Sequence, residues 1–162
     1  MAVKVRRAEE KDAAAVGEFA YRLAAQHVGY DARRFTHIAE AVQMARFYGS
    51  RNATGDEAVM VAEVDGEIVG FAYLQYEARN YADLLQNAVW LHDIYLDEAA
   101  RSAGAGKMLI EASKEVAREM GADKLMLSVA AKNSQAQDFF ERQGFRATMI
   151  EMMLDLSVTS EN

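Results

Sequence analysis

Hydrophobic and polar positions repeat with two different periods along this chain, and these periods predict its elements. A period of two is typical of strands and a period of 3.6 of helices. "VKVRRA" (residues 3–8) predicts an opening strand, residues 10–27 a helix, and residues 33–48 a second helix. The Gly-, Ser-, Asn- and Asp-containing stretch that follows, "GSRNATGDE", predicts a loop.

A tight hairpin is predicted around Asp65 and Gly66, which join two β-rich runs at residues 58–64 and 67–78. Both central residues of a type I′ turn need positive φ, and Asp-Gly satisfies this requirement. "RNYADLLQNA" (79–88) is then interpreted as a polar excursion before the next strand, "VWLHDIYL" (89–96).

The second half continues the alternation of helices and strands. A helix is predicted from about Gly104 to Met120, ended by Gly121, and a strand over 124–129. A short helix over 134–143, capped by Asn133 or Ser134, precedes a last strand, "ATMIEMMLDL" (147–156). The order β-α-α-β-β-β-α-β-α-β predicts the α/β class in its α+β form, a mixed sheet with helices packed on it.

Composition favours one folded domain over residues 1–162, because 51% of the residues are apolar and 27% are charged. The absence of cysteine excludes disulfides, thiolate metal sites and a cysteine nucleophile. The charged N-terminus and the lack of any apolar run of roughly 20 residues predict a cytoplasmic protein with no membrane partner. A net charge of −7 argues against nucleic acid and favours a cationic small molecule.

The stretch from Arg101 to Lys107 places two glycines between a predicted strand and a predicted helix. Such a turn presents unpaired backbone N–H groups at the helix N-terminus, where negative charge is favoured, so it is suited to phosphate. Leu109 stands where the dinucleotide fingerprint requires a third glycine. Arg101 and Met108 stand where the P-loop requires a glycine and a Ser or Thr, so both nucleotide motifs are excluded.

The remaining pattern, R-x-x-G-x-G, resembles the turn with which the GNAT superfamily of acyl-CoA-dependent N-acetyltransferases cradles the pyrophosphate of coenzyme A. "NSQAQDFFERQGF" (133–145) is similar to that family's later segment, in which an Asn opens a helix and an aromatic pair packs by the pantetheine. The opening strand and helix are similar as well, so the resemblance covers nearly the whole chain.

The resemblance implies a GNAT fold, with a mixed, mostly antiparallel sheet of about six to seven strands flanked by about four helices. It implies acetyl-CoA as co-substrate, no metal, and commonly a homodimer. The pantetheine arm would bind as a pseudo-strand where residues 94–96 and 127–130 splay apart. The residues that the resemblance assigns to the coenzyme are Ile94, Tyr95, Leu96, Arg101, Ser102, Ala103, Gly104, Ala105, Gly106, Lys107, Asn133, Gln137 and Phe140.

Acetylation of an amine requires a group that takes the amine proton, because an alkyl amine with a pKa of about 10 is mostly protonated at neutral pH. The strand stretch "LHDIYL" is similar to polyamine acetyltransferases, where a Glu-Asp pair lies at this point, and His92 stands in place of the Glu. The candidates for the base are His92, Asp93 and a water chain. Strand alternation predicts that His92 projects with Ile94 and Leu96, and Asp93 with Leu91 and Tyr95.

The resemblance also implies a backbone N–H near Tyr95 or Leu96 that polarises the carbonyl, and a tyrosine on the last helix that protonates the thiolate. That helix position holds Phe140, which has no proton to give. Tyr95, Tyr73 or Tyr76 would substitute, or water would act. His27 and His37 are interpreted as surface or capping residues.

These features predict acetyl transfer to a primary amine of a small acceptor, with a polyamine as first guess, by direct attack in a ternary complex. A protein N-terminus or lysine, an aminoglycoside and an amino acid stay open as acceptors. The alternatives are a non-catalytic CoA-binding sensor and a module of the same fold whose turn stays empty.

Overall fold

The computed structural model describes residues 2–157. Its five strands form one sheet, in which they are neighbours in chain order, β1-β2-β3-β4-β5. Strands β1 to β4 are antiparallel neighbours, and β5 runs parallel to β4. The strands are β1 Val3–Arg7, β2 Glu57–Val64, β3 Glu67–Asn80, β4 Leu85–Leu96 and β5 Lys124–Met126. The helices are α1 Ala13–Tyr30, α2 Ala41–Gly49, α3 Ala105–Glu119 and α4 Ser134–Arg142. This arrangement confirms the predicted mixed, mostly antiparallel fold with four helices.

Alternate residues of each strand supply two separate cores. On β2, Met60 belongs to the core under α3 and α4, whereas Val59 and Val61 belong to the core under α1 and α2. Leu109 of α3 and Phe71 of β3 are fully buried in these two cores. Burying a side chain of this size stabilises a fold by about 1.5–3 kcal/mol, so the two layers of helices are held firmly on the sheet.

The hairpin at Asp65-Gly66 is confirmed, because both residues have positive φ, 52° and 84°. The interpretation of residues 79–88 as a polar excursion is wrong. Strand β3 runs to Asn80 and β4 begins at Leu85, and the two pair along this stretch. Backbone pairing does not require apolar side chains, and polar bonds such as that from Tyr76 Oη to Asn87 Oδ1 (2.8 Å) support the extension.

Other predictions differ from the structure, among them that of α1, which spans Ala13–Tyr30 rather than residues 10–27. Helix α2 begins at Ala41 rather than near residue 33, and a capping box marks its start, in which Glu40 N donates to Gln43 Oε1 at 2.8 Å. Strand β5 ends at Met126 rather than at residue 129. The predicted last strand, 147–156, pairs with no described strand, so the described sheet has five strands instead of six to seven.

Among the described residues, no helix combines the length and the apolar character needed to cross a membrane.

Candidate active site

A β-bulge at His92 reshapes the middle of β4. Asp93 lies opposite Tyr73 of β3, but the next pair is Leu91 with Leu74, so no residue of β3 lies opposite His92 in the strand register. A bulge inserts one extra residue and re-aims the side chains around it. His92 and Asp93 are therefore adjacent in sequence and nevertheless point to the same face of the sheet.

The contacts of the two side chains identify that face as the one covered by α1 and α2. The His92 ring stacks on Tyr73 with 5.5 Å between centroids, and Tyr48 of α2 donates a hydrogen bond to Asp93. The predicted alternation is therefore wrong for His92, since Ile94 and Leu96 pack against the opposite core. Asp93 does share its face with Tyr95, as predicted, but not with Leu91.

The surroundings of Asp93 disfavour the charged form of its carboxyl group. It is partly buried, and its Oδ2 accepts the Tyr48 hydroxyl at 2.7 Å. Burial raises the pKa of Asp93 above its ordinary value, and the Tyr48 hydrogen bond opposes this increase only in part. Burial and the nearby Asp93 carboxylate raise the pKa of Tyr48, so that hydroxyl keeps its proton at neutral pH.

His92 is more exposed than Asp93 and has different partners. Its Nε2 lies 3.0 Å from Gln75 Oε1 on β3, and its ring is also stacked on Trp90 at 6.3 Å. An amide oxygen only accepts, so Nε2 is the donor in this contact. His92 is thus oriented by three neighbours while staying accessible to solvent.

Both side chains line a cleft of about 560 Å³, to which β4 contributes residues 91–94. One wall comes from α1, α2 and the loop between them, and the other from β4, residues 127–129 and α4. Of the predicted site residues, the cleft brings together His92, Asp93, Ile94, Asn133 and Phe140. On the α1–α2 wall it adds residues including Leu23, His27, Arg34, Phe35, Met44 and Tyr48.

Strands β4 and β5 part within this cleft. Their pairing ends at Trp90 and Met126, and the cleft then reaches both Ile94 and Val129. The predicted divergence of these strands is confirmed. A gap between two parallel strands, flanked by backbone polar groups, is suited to an extended, amide-containing ligand.

The glycine turn lies at the end of β4, beside the cleft rather than in its lining. Gly104 has φ 80° and precedes α3, and the first intrahelical bond is donated by Met108 N to Gly104 O. The N–H groups of Ala105, Gly106 and Lys107 therefore have no acceptor within the helix and face outward from its N-terminus. No side chain among residues 2–157 caps α3. This donor set fits a phosphate group.

Close packing fixes the position of this turn. A Cβ on Gly106 would lie 3.2 Å from both Leu96 Cδ1 and Phe139 Cζ, so the start of α3 is pressed against β4 and α4. The Arg101 Nε donates to Leu96 O at 3.4 Å and is exposed. The turn thus lies against the strand end from which the cleft opens.

Other predicted residues have structural contacts. Asn133 Oδ1 accepts Ala136 N at 3.1 Å and caps α4, and Gln137 Nε2 donates to the carbonyls of Ala130 and Ala131. His27 Nδ1 lies 2.8 Å from Leu23 O within α1 although the ring lines the cleft, and His37 stacks on Tyr21.

None of the tyrosines considered as a thiolate acid lines the cleft. Tyr95 stacks on Phe19, Tyr73 donates to Glu57, and the Tyr76 hydroxyl is bound to Asn87. The tyrosine that does line it is Tyr48, which sequence reasoning missed. Its i, i+4 spacing from Met44 was the available signal, because this spacing puts both residues on one face of a helix. No group of three or more His, Asp or Glu residues in the described part of the chain could hold a metal ion.

The strand gap, the glycine turn before α3, and His92 with Asp93 at the bulge are features that the resemblance to acyl-CoA-dependent N-acetyltransferases predicts. The model of the acetyltransferase (GNAT) family matches residues 24–145, which is most of the chain. The chain belongs to this family, and its chemistry is the transfer of an acetyl group to nitrogen.

Two curated proteins and one solved structure are similar to this chain. An uncharacterized N-acetyltransferase of Bacillus subtilis, YhfO, is 28% identical over 88% of this chain and 89% of its own length. Glucosamine 6-phosphate N-acetyltransferase of Trypanosoma brucei brucei is 31% identical over 74% of this chain and 83% of its own length. A tetramutant of the BH1408 protein from Bacillus halodurans shares the fold, with a TM-score of 0.81 at 22% identity over 94% of this chain and 99% of that chain.

Proposed function

We propose that this enzyme acetylates a primary amine of a small, cationic acceptor by direct attack in a ternary complex, and that Asp93 takes the amine proton. The observation that carries the proposal is the environment of Asp93, a partly buried carboxylate of raised pKa in the wall of the cleft. A base whose pKa is moved toward neutral is better matched to proton transfer than a solvent-exposed aspartate.

The part of the cleft around Asp93 suits an aliphatic amine. Leu23, Phe35 and Met44 supply apolar surface, and the carboxylate supplies the charge that attracts an ammonium group. The net charge of −7 adds long-range attraction for cations. These features favour a polyamine-like acceptor over a phosphorylated amino sugar. Arg34, a cation in this lining, is already paired with Glu151.

Acetyl-CoA would supply the thioester, and the residues that would hold it lie at the start of α3, on β4 and in residues 127–129. The N–H groups at the start of α3, with Arg101 and Lys107, would bind the pyrophosphate. Ile94 and residues 127–129 would flank the pantetheine arm. A backbone N–H of β4 near Tyr95 or Leu96 would polarise the thioester carbonyl.

Phe140 lines the cleft where the resemblance implies a tyrosine, and it has no proton to donate. Tyr48 donates its proton to Asp93 and has a raised pKa, so we assign it as a positioning residue for Asp93. The thiolate would therefore be protonated by water. We place His92 at the solvent side of the cleft, because its side chain is exposed while that of Asp93 is partly buried.

The runner-up function is a CoA-binding sensor without turnover, which the absence of the usual tyrosine at Phe140 favours. A peptide N-terminus or lysine as acceptor is a further alternative. The cytoplasmic location, the homodimer and the extent of the domain over residues 1–162 stay predictions.

The test combines binding and turnover. Acetyl-CoA should raise the melting temperature, and thiol release over a panel of diamines, polyamines, amino sugars, aminoglycosides and peptides should be greatest with the first two. Asp93→Asn should bind acetyl-CoA and lose turnover, whereas Asp138→Asn, on the exposed face of α4, should keep both. Binding with no acetylated product from any amine would favour the sensor, and absence of binding would contradict the proposal.

A further inference from the structure

His27 on α1 is a titratable side chain of the cleft to which the proposed function gives no role. Its ring lines the wall formed by α1, α2 and the loop between them, whereas Asp93 lies on the wall to which β4 contributes. Burial has the largest effect on the pKa of Asp93 and raises it, and a positive charge on His27 is close enough to oppose part of this increase. The two side chains therefore approach the same part of the cleft from different walls.

A backbone carbonyl of the same helix orients the His27 ring. Nδ1 lies 2.8 Å from Leu23 O, one turn earlier in α1. A carbonyl oxygen only accepts, so Nδ1 is the donor in this contact, and in the neutral ring Nε2 therefore holds the lone pair. The helix itself thus determines which nitrogen of His27 can accept a hydrogen bond.

Two aromatic side chains keep the ring in this orientation. Phe35, in the loop after α1, meets the His27 ring edge to face with 4.9 Å between centroids, and Tyr30 meets it in the same way at 5.8 Å. Phe35 lines the cleft as well. Turning the ring would break these contacts together with the hydrogen bond to Leu23, so its position is set before any ligand binds.

The Nε2 atom of His27 has no hydrogen-bond partner among residues 2–157. In this part of the chain no side-chain nitrogen or oxygen is both buried and without a partner, so Nε2 is accessible to solvent. His92, the other histidine of the cleft lining, differs in this respect because its Nε2 is bound to Gln75. His27 therefore offers its Nε2 to a molecule in the cleft, and His92 does not.

The reacting nitrogen of a substrate amine needs more than one contact to be oriented. An ammonium group has three N–H bonds, and after Asp93 has taken one proton the nitrogen keeps two of them and gains the lone pair that attacks the thioester. With a single contact the nitrogen still rotates about its bond to carbon, and the lone pair is not aimed at the carbonyl. A hydrogen bond from one of the remaining N–H bonds would fix its direction.

We propose that His27 Nε2 accepts this hydrogen bond, so that the substrate amine is held between Asp93 on β4 and His27 on α1 while it attacks the thioester. The inference rests on the proposed function, because it requires an amine at Asp93. His27 acts in its neutral form, since an imidazolium has no lone pair to offer and repels an ammonium group.

Two substitutions at His27 distinguish this role from packing alone. His27→Gln keeps an oxygen that can accept a hydrogen bond near the place of Nε2 but loses the ring. His27→Phe keeps a ring against Phe35 and Tyr30 but loses both nitrogens. We expect kcat/KM for the amine to fall about 10- to 100-fold in His27→Phe, the usual cost of a hydrogen bond that involves a charged group, and to recover in part in His27→Gln. Packing alone predicts the reverse order.

His37→Phe is the matched control, because His37 stacks on Tyr21 and does not line the cleft. Its kcat/KM should stay within about twofold of wild type. Stabilisation by acetyl-CoA, measured as a shift in melting temperature, checks that each variant is folded and binds the co-substrate.

Asp93→Asn, measured in the same assay, separates this inference from the proposed function. If Asp93→Asn loses turnover and kcat/KM of His27→Phe equals or exceeds that of His27→Gln, the role of His27 is overturned and the proposed function stands. If the wild-type protein acetylates no amine, both are overturned. Recovery in His27→Gln relative to His27→Phe, with His37→Phe unchanged, is the result that the inference predicts.

Discussion

Asp12 and Asp93 are two carboxylates withdrawn from water whose pKa values move in opposite directions. Asp12 is 4% exposed, and its carboxylate accepts hydrogen bonds from two Arg6 guanidinium nitrogens, at 2.7 and 3.1 Å. It also accepts the Glu9 N–H at 2.7 Å. These partners lower its pKa. Asp93 accepts a hydrogen bond from the neutral hydroxyl of Tyr48, and the burial of Asp93 raises the pKa of its carboxyl group.

The difference shows that the partner decides what a buried carboxylate can do. A guanidinium stabilises the charged form, so Asp12 stays ionised and ties β1 to the start of α1. A hydroxyl compensates burial incompletely, so Asp93 takes up a proton more readily than a free aspartate does. We therefore interpret Asp12 as a structural residue and Asp93 as a chemical one.

The largest expected effect comes from Asp93→Asn. The amide keeps an acceptor for Tyr48 but cannot take a proton, so we expect turnover to fall by about 10²–10⁴, the usual contribution of a general base. The melting temperature should not fall, because an uncharged side chain suits the site better. Steady-state kinetics and thermal unfolding of the same preparation measure both. Wild-type turnover in this variant would show that Asp93 does not take the amine proton.

Asp12→Asn should act on stability instead. Breaking a buried ion pair commonly costs 3–5 kcal/mol, and because Glu63 also contacts Arg6 we expect a loss of about 2–4 kcal/mol in the free energy of unfolding. Urea denaturation measures this loss. Turnover per folded molecule should be unchanged, and a selective loss of turnover would show that the two aspartates are not separate in role.

Tyr48→Phe should remove the hydroxyl that donates a hydrogen bond to Asp93. The hydrogen bond from Tyr48 lowers the pKa of Asp93, so its removal raises that pKa further. A base must be deprotonated to act, and the acid limb of the kcat/KM profile should therefore move to higher pH. We expect turnover at neutral pH to fall about 3- to 10-fold, of the order of one hydrogen bond. An acid limb in its original place would exclude this positioning role.

The smallest effect is on the pH dependence of stability, and the two aspartates give opposite signs. Asp93 binds its proton more tightly in the folded state, so its contribution is favourable at low pH and is lost as the pH rises through its raised pKa. Asp12 binds its proton less tightly when folded, so its contribution is lost as the pH falls through its lowered pKa. Asp93→Asn should thus gain stability over wild type with rising pH, while the deficit of Asp12→Asn should shrink in acid. If the free energy of unfolding changed with pH in the same way in wild type, Asp93→Asn and Asp12→Asn, the result would contradict both the raised pKa of Asp93 and the lowered pKa of Asp12.

Local features were predictable from the sequence because they depend on a few adjacent residues. Asp65-Gly66 fixes its own turn, and Gly104 with its helix start fixes the orientation of the α3 N–H groups. Asn133 caps α4 as its position suggested.

Features that depend on pairing between distant strands were not predictable in this way. The bulge at His92 arises from the register of β4 against β3, and strict alternation therefore placed His92 on the wrong face. Tyr48 meets Asp93 across 45 residues of chain. The segment 147–156 has the alternation of a strand, but a pattern cannot tell to which sheet a strand belongs.

The pH dependence of kcat/KM in wild type and in His92→Ala tests the central assignment most directly. With Asp93 as the base, His92→Ala should lose less than about tenfold in turnover and keep the acid limb of the profile. Loss of that limb in His92→Ala, together with its retention in Asp93→Asn, would move the base to His92 and contradict the account.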